Sequence, residues 1–163
     1  MKVLSINMDK CTGCRACEYA CSFVHTGAFN PLDSSIRISE FLDDFVFIPS
    51  VCTQCEDAYC VSVCPTNALT KNETTGVVEF NKDICIGCKQ CVMACPWGSI
   101  KLNHTGKEII KCDLCGGDPE CVKVCHANAL EFVDAEDMVL DKKHRNAYKY
   151  KGIITEQQGV QNG

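Results

Sequence analysis

Cys85-Ile86-Gly87-Cys88-Lys89-Gln90-Cys91-Val92-Met93-Ala94-Cys95-Pro96 decides how this chain is read. Three cysteines with two residues between each, then a fourth after three more and a proline, form a run with a known use. Three thiolates hold one [4Fe-4S] cubane and the fourth ligates a different one. The reason is reach. Cys85, Cys88 and Cys91 can wrap one face of a cubane, and Gly87 lets the loop close tightly. The first turn of a helix then carries Cys95 toward a neighbouring site, and Pro96 stops that helix. Such a motif calls for a partner motif.

Three further quartets use every remaining cysteine. Cys11, Cys14, Cys17 and Cys21 keep the same spacing, with Ser22 in place of the proline. Cys52, Cys55, Cys60 and Cys64 precede Pro65 and have a middle gap widened to four residues. Cys112, Cys115, Cys121 and Cys125 precede His126, with that gap widened to five. Sixteen thiolates thus divide into four sets of four, the ligand count of four [4Fe-4S] clusters.

The bulk properties narrow the function classes. At 163 residues the chain is one compact unit or two small lobes. So much cysteine in a short secreted chain would argue for disulfides. The first ten residues, however, show neither an apolar export region nor a twin-arginine pair. A cytoplasmic location is therefore expected, where thiols serve metals or redox chemistry. No apolar run approaches a membrane span, so no membrane insertion is expected. A net charge of -5 argues against nucleic acid, which needs a basic face.

Along the chain, residues 2–8 read as a strand and residues 15–25 as a short helix carrying Cys17 and Cys21. Residues 35–50 read as a β-hairpin turning at Asp43-Asp44, with Ile36, Ile38, Phe41, Phe45, Phe47 and Ile48 expected in the core and shielding the clusters from water. A short helix is expected over 56–63, a strand over 77–80, and a hairpin from 99–102 and 108–111. Motif and short strand alternate with a period near thirty residues, an internal repeat. His126-Ala127-Asn128-Ala129-Leu130 parallels Pro65-Thr66-Asn67-Ala68-Leu69, which marks the fourth quartet as a true copy. Residues 135–148 read as a charged helix and 150–163 as a polar tail.

With four such quartets in one short chain, the sequence resembles the four-cluster iron-sulfur electron-transfer subunits of molybdenum and tungsten oxidoreductases, the family of the dimethyl sulfoxide reductase iron-sulfur subunit. Cys17-Glu18-Tyr19-Ala20-Cys21-Ser22 with His25, Gly27 and Asn30-Pro31 resembles its small members beside carbon monoxide dehydrogenase or tungsten enzymes of the aldehyde:ferredoxin oxidoreductase type. The resemblance implies an α+β fold of tandem bacterial ferredoxin-like lobes, with short helices, small β-hairpins and much loop. Residues 1–133 would form the four-cluster domain, as two intertwined lobes built from motifs 1 and 4 and from motifs 2 and 3. Residues 134–163 would be a C-terminal helix and tail, a partner-docking arm through which higher oligomers could form.

Pairing is also implied by the resemblance. Cys11, Cys14, Cys17 and Cys125 would share one cluster, and Cys112, Cys115, Cys121 and Cys21 the next. Cys52, Cys55, Cys60 and Cys95 would share a third, and Cys85, Cys88, Cys91 and Cys64 the last. Cys88 stands where some relatives carry tryptophan and hold a three-iron cluster, so four cubanes are expected.

The implied function is non-catalytic. The chain would be a wire between a large subunit with a tungsten or molybdenum cofactor and a second redox partner, a flavin- or NAD-linked subunit or a ferredoxin. A free polyferredoxin shuttle is the alternative, and a zinc-binding interaction module a weaker one. No second constellation suggests bond-making chemistry. His25, His104, His126 and His144 are scattered and read as surface or capping groups, although His126 could reach a cluster sulfur. Trp97 is expected over a cluster or a lobe interface; Lys10, Arg15, Lys89 and Lys111 lie beside ligands, where they could raise local potentials, but read more simply as solvated.

Overall fold

The computed structural model describes residues 1–140 together with Lys143 and Ala147. Its first and last strands meet. β1 (Lys2–Ile6) pairs antiparallel with β8 (Leu130–Asp134), in a register from Lys2↔Asp134 to Ile6↔Leu130. The remaining strands form local two-stranded hairpins: β2 (Arg37–Phe41) with β3 (Val46–Ser50), β4 (Leu69–Lys71) with β5 (Val78–Phe80), and β6 (Lys101–Leu102) with β7 (Ile109–Ile110). Four helices alternate with them: α1 (Ala16–Thr26), α2 (Tyr59–Ser62), α3 (Gln90–Ala94) and α4 (Glu120–Lys123). Residues 135–140 are helical. The expected helix over 135–148 otherwise falls, with the tail, largely outside the described residues.

The internal repeat is structural as well as sequential. Asn7-Met8-Asp9-Lys10-Cys11 and Asn81-Lys82-Asp83-Ile84-Cys85 each form a 3-10 turn in which the Asn side chain accepts the N–H two residues on. The Asn7 amide donates to the Ala129 carbonyl and the Asn81 amide to the Ala68 carbonyl, both at 2.8 Å. A strand leading into one motif is thus stitched to the strand leaving another, once across the whole chain and once within a hairpin. Two apolar clusters result. One joins Ile36, Ile38, Leu114 and Leu130, and the other Leu69, Val78 and Ile100.

Three expectations need correction. The helix expected over 56–63 is confined to Tyr59–Ser62, because the widened gap before Cys60 is loop. The aromatics of the β2–β3 hairpin are not all core: Ile36 and Ile38 are buried, but the tip residue Phe45 is 82% exposed and Phe41 half-exposed. Phe41 alternates to the face opposite Ile38, away from the protein, and Phe45 lies in the turn beyond both strands. Lys111 is not solvated: it is 9% exposed, its ammonium held among oxygen atoms inside the fold.

Candidate metal centres

All four motifs build their cysteine loops in one way. The residue before the second cysteine takes a left-handed conformation in each, at Gly13 (φ 69°), Gln54 (φ 49°), Gly87 (φ 67°) and Leu114 (φ 54°). This reversal turns the first two thiols toward the third. Cys17, Cys60, Cys91 and Cys121 are then each the second residue of their helix. The fourth cysteine follows four residues later, one turn along the same face.

The fold brings the cysteines together in sets that cross between motifs. Cys11, Cys14 and Cys17 line a cavity with Cys125, Cys52, Cys55 and Cys60 line another with Cys95, and Cys85, Cys88 and Cys91 line a third with Cys64. In the fourth set, burial raises the thiols of Cys112, Cys115 and Cys121, and the adjacent Cys21 sulfur adds to the rise at all three.

These thiols are poor anions by themselves. Burial pushes Cys17 and Cys112 up to about 12 and Cys121 further still. Buried sulfurs crowded against one another become thiolates only if a cation replaces their protons, which is what iron does on binding. Small pockets that present four cysteines among apolar side chains such as Ala58, Val78 and Ile100 fit an iron-sulfur cluster.

The fourth cysteine of every motif accepts a backbone N–H. Ala68 donates to Cys64 at 3.2 Å, Ser99 to Cys95 at 3.4 Å and Ala129 to Cys125 at 3.2 Å. In these three motifs the donor is four residues on, aimed by a left-handed residue just before it: Asn67 (φ 53°), Gly98 (φ 61°) and Asn128 (φ 49°). The first motif differs. With Ser22 where two other motifs carry proline, α1 runs on to Thr26, and the N–H reaching Cys21 comes instead from Ser35, at 3.3 Å. The Asn-Ala pairs could have been found in the sequence from the 65–69 and 126–130 parallel. Ser35 could not, because nothing local links it to Cys21.

Other side chains surround these sets. Glu18 is fully buried, accepting from the Ile38 amide at 2.8 Å and from Arg15 Nε at 2.9 Å. The two histidines nearest sulfur serve motifs other than their own: His126 Nδ1 lies 3.8 Å from Cys14 Sγ, and His25 Nε2 lies 3.8 Å from Cys115 Sγ. His25, Asp113 and Cys115 bring donor atoms within 4.8 Å of one another, but Cys115 already belongs to a sulfur set. His104 caps Asp33, whereas His144 lies outside the described residues. Trp97 lines the Cys52 cavity while remaining 66% exposed. Among the described residues no helix is long and apolar enough to cross a membrane.

The comparisons agree with this chemistry. The model of a 4Fe-4S dicluster domain matches residues 43–135, and that of a 4Fe-4S binding domain matches residues 3–29. The polyferredoxin-like subunit of aliphatic sulfonate oxidoreductase from Pyrococcus furiosus is 48% identical over 122 residues, covering 74% of this chain and 69% of that protein. A subunit of anaerobic dimethyl sulfoxide reductase from Escherichia coli is 36% identical over 159 residues, 85% of this chain and 75% of the relative. Among solved structures, one component of the active-site complex BamBC of benzoyl coenzyme A reductase superposes with a TM-score of 0.50 at 28% identity, over 82% of this chain and 76% of its own.

Proposed function

Because the protein belongs to the 4Fe-4S dicluster family, as an iron-sulfur electron-transfer subunit of an oxidoreductase complex, we propose that its sixteen cysteines hold four [4Fe-4S] clusters in single file. Clusters bound there pass single electrons, at potentials set by charge, hydrogen bonds to sulfur and exposure. The crossing of each fourth cysteine into another motif's set carries this reading. It ties the chain into two ferredoxin-like lobes within 1–133, one from motifs 1 and 4 and one from motifs 2 and 3.

The order of the file follows from the helices that neighbouring sets share. Cys17 and Cys21 sit one turn apart on α1, about 6 Å of rise, so the Cys11 set adjoins the Cys112 set. Cys91 and Cys95 are spaced alike along and just past α3, so the Cys85 set adjoins the Cys52 set. The middle pair meet where Cys52 acts on the Cys112 thiol. Cys14 and Cys88, the two exposed cysteines, then lie one in each terminal set, where electrons enter and leave. The β2–β3 hairpin lays Ile38 and Pro49 over the Cys11 set and keeps water from it.

The partner at one end is a large catalytic subunit with a tungsten or molybdenum cofactor; at the other it is a flavin- or NAD-linked subunit or a ferredoxin. Names of the relatives, subunits of a sulfonate oxidoreductase and of dimethyl sulfoxide reductase, support an oxidoreductase partner. Residues 134–163 serve as a docking arm, and the complex works in the cytoplasm. Anaerobic purification of the native complex tests the reading. Sixteen irons per chain, a visible absorption that bleaches on reduction and a larger molybdenum- or tungsten-bearing partner are expected. A folded, colourless, iron-free protein would overturn it.

A further inference from the structure

Lys111 is a buried cation whose ammonium is held by uncharged acceptors. Its ammonium donates to the Cys112 carbonyl at 2.7 Å, the Val78 carbonyl at 2.8 Å and Gln54 Oε1 at 3.2 Å, three uncharged acceptors for three N–H groups. Among the described residues it forms no ion pair. Gln54 completes the cage: its Nε2 donates to the same Cys112 carbonyl at 2.8 Å, and its Oε1 accepts the Val78 amide at 3.0 Å. The cage joins two motifs, since Gln54 sits between Cys52 and Cys55 while Lys111 directly precedes Cys112.

Position gives this charge a purpose. Lys111 lines the cavity of Cys52, Cys55, Cys60 and Cys95, yet holds the backbone of Cys112, whose thiol belongs to the adjoining set. It therefore stands at the seam between the two interior sets. A buried, unpaired ammonium is costly unless negative charge lies close by. Four thiolates around iron supply that charge, and the compensation grows when an electron arrives. Lys71 shows the contrast, its ammonium donating to the Cys55 and Glu56 carbonyls at the outer side of the same loop.

We infer that Lys111 is a positioning charge that raises the reduction potentials of the two interior clusters above those of the terminal ones, so that an electron entering at either end settles in the middle of the file. Each step moves one electron and breaks no bond.

The inference rests on the four-cluster reading, which iron counting decides separately: fewer than sixteen irons in the unaltered protein sinks that reading and not the lysine. Potentiometric titration followed by electron paramagnetic resonance tests the lysine. Lys111→Met should shift two of the four one-electron equilibria at least tenfold toward the oxidised form, about 59 mV each. Lys111→Arg, which keeps the charge, should leave them near the unaltered values. Should Lys111→Met fail to load iron, Gln54→Glu sets a carboxylate against the ammonium and should shift the same two equilibria in the same direction. An absent shift, a shift of all four, or an equal shift in the Met and Arg variants would overturn the inference, the last by showing a packing effect.

Discussion

Asp33 accepts two hydrogen bonds from one residue, His104, whose Nδ1 donates to Oδ2 at 2.6 Å and whose backbone N–H donates to Oδ1 at 2.7 Å. The link spans 71 residues and pins the loop after α1 to the turn between β6 and β7. That loop carries the Ser35 amide to the Cys21 sulfur. Burial would raise the Asp33 carboxyl, but these bonds, with one from Asn30, outweigh it and hold the group below the ordinary carboxylate range. A depressed folded value means stability that is present above the unfolded pKa, about 3.9, and is lost as pH falls through the folded one. Asp33→Asn should destabilise by about 1–3 kcal/mol at neutral pH. The gap to the unaltered protein should close on the acid limb, read by circular dichroism. A gap that widens in acid would refute the assignment.

Cysteines distant in sequence should fail together. Cys64 and Cys88 line one cavity although they belong to different motifs. Cys64→Ser and Cys88→Ser should each perturb the same paramagnetic signal, and the double variant should add little to either single one. Loss of two different signals, with additive loss of iron, would break the proposed pairing.

Local order was the part legible in the sequence. The cysteine spacing marked the loops, the Asn-Ala repeat marked the turns after two fourth cysteines, and short-range alternation located the hairpins. Long-range partners were not legible. β8 pairs with β1 at the far end of the chain, and no local signal announces that pairing. Lys111 and Glu18 look like surface residues because charged side chains are ordinarily solvated. Long-range packing encloses both: Gln54 of another motif and Val78 hold Lys111, and Ile38 of the β2–β3 hairpin holds Glu18. Phe45 erred the opposite way, a large apolar residue left on a hairpin tip.

Asn67 tests whether the amide at the fourth cysteine tunes a cluster. Its left-handed conformation aims the Ala68 N–H at Cys64 Sγ, and Asn tolerates that conformation where β-branched residues do not. At Cys64 burial acts upward, but amide donors that include Ala68 outweigh it and lower the thiol. Asn67→Val should cost about 1–2 kcal/mol and lower one reduction potential, because the reduced, more negative state gains most from the donor. Asn67→Gly should preserve the potential. Equal potentials in all three proteins would show that this amide has no hold on the cluster.

Glu18 separates a structural anchor from a redox role. It is fully enclosed, and its Oε1 receives the Ile38 amide at 2.8 Å, joining α1 to the β2–β3 hairpin. Ile38 and Arg15 both line the cavity of Cys11, Cys14, Cys17 and Cys125. Glu18→Leu strands the Ile38 N–H, a loss of about 1–3 kcal/mol, and leaves Arg15 without the nearer of its two acidic partners. Glu18→Gln retains an oxygen for Ile38 and should cost less. If the anchor matters through packing, the Leu variant will bleach faster in urea with one signal lost first, while the Gln variant follows the unaltered protein. If both variants bleach alike and fast, the buried negative charge itself, acting with Arg15 and Arg37, holds the hairpin over the terminal cluster.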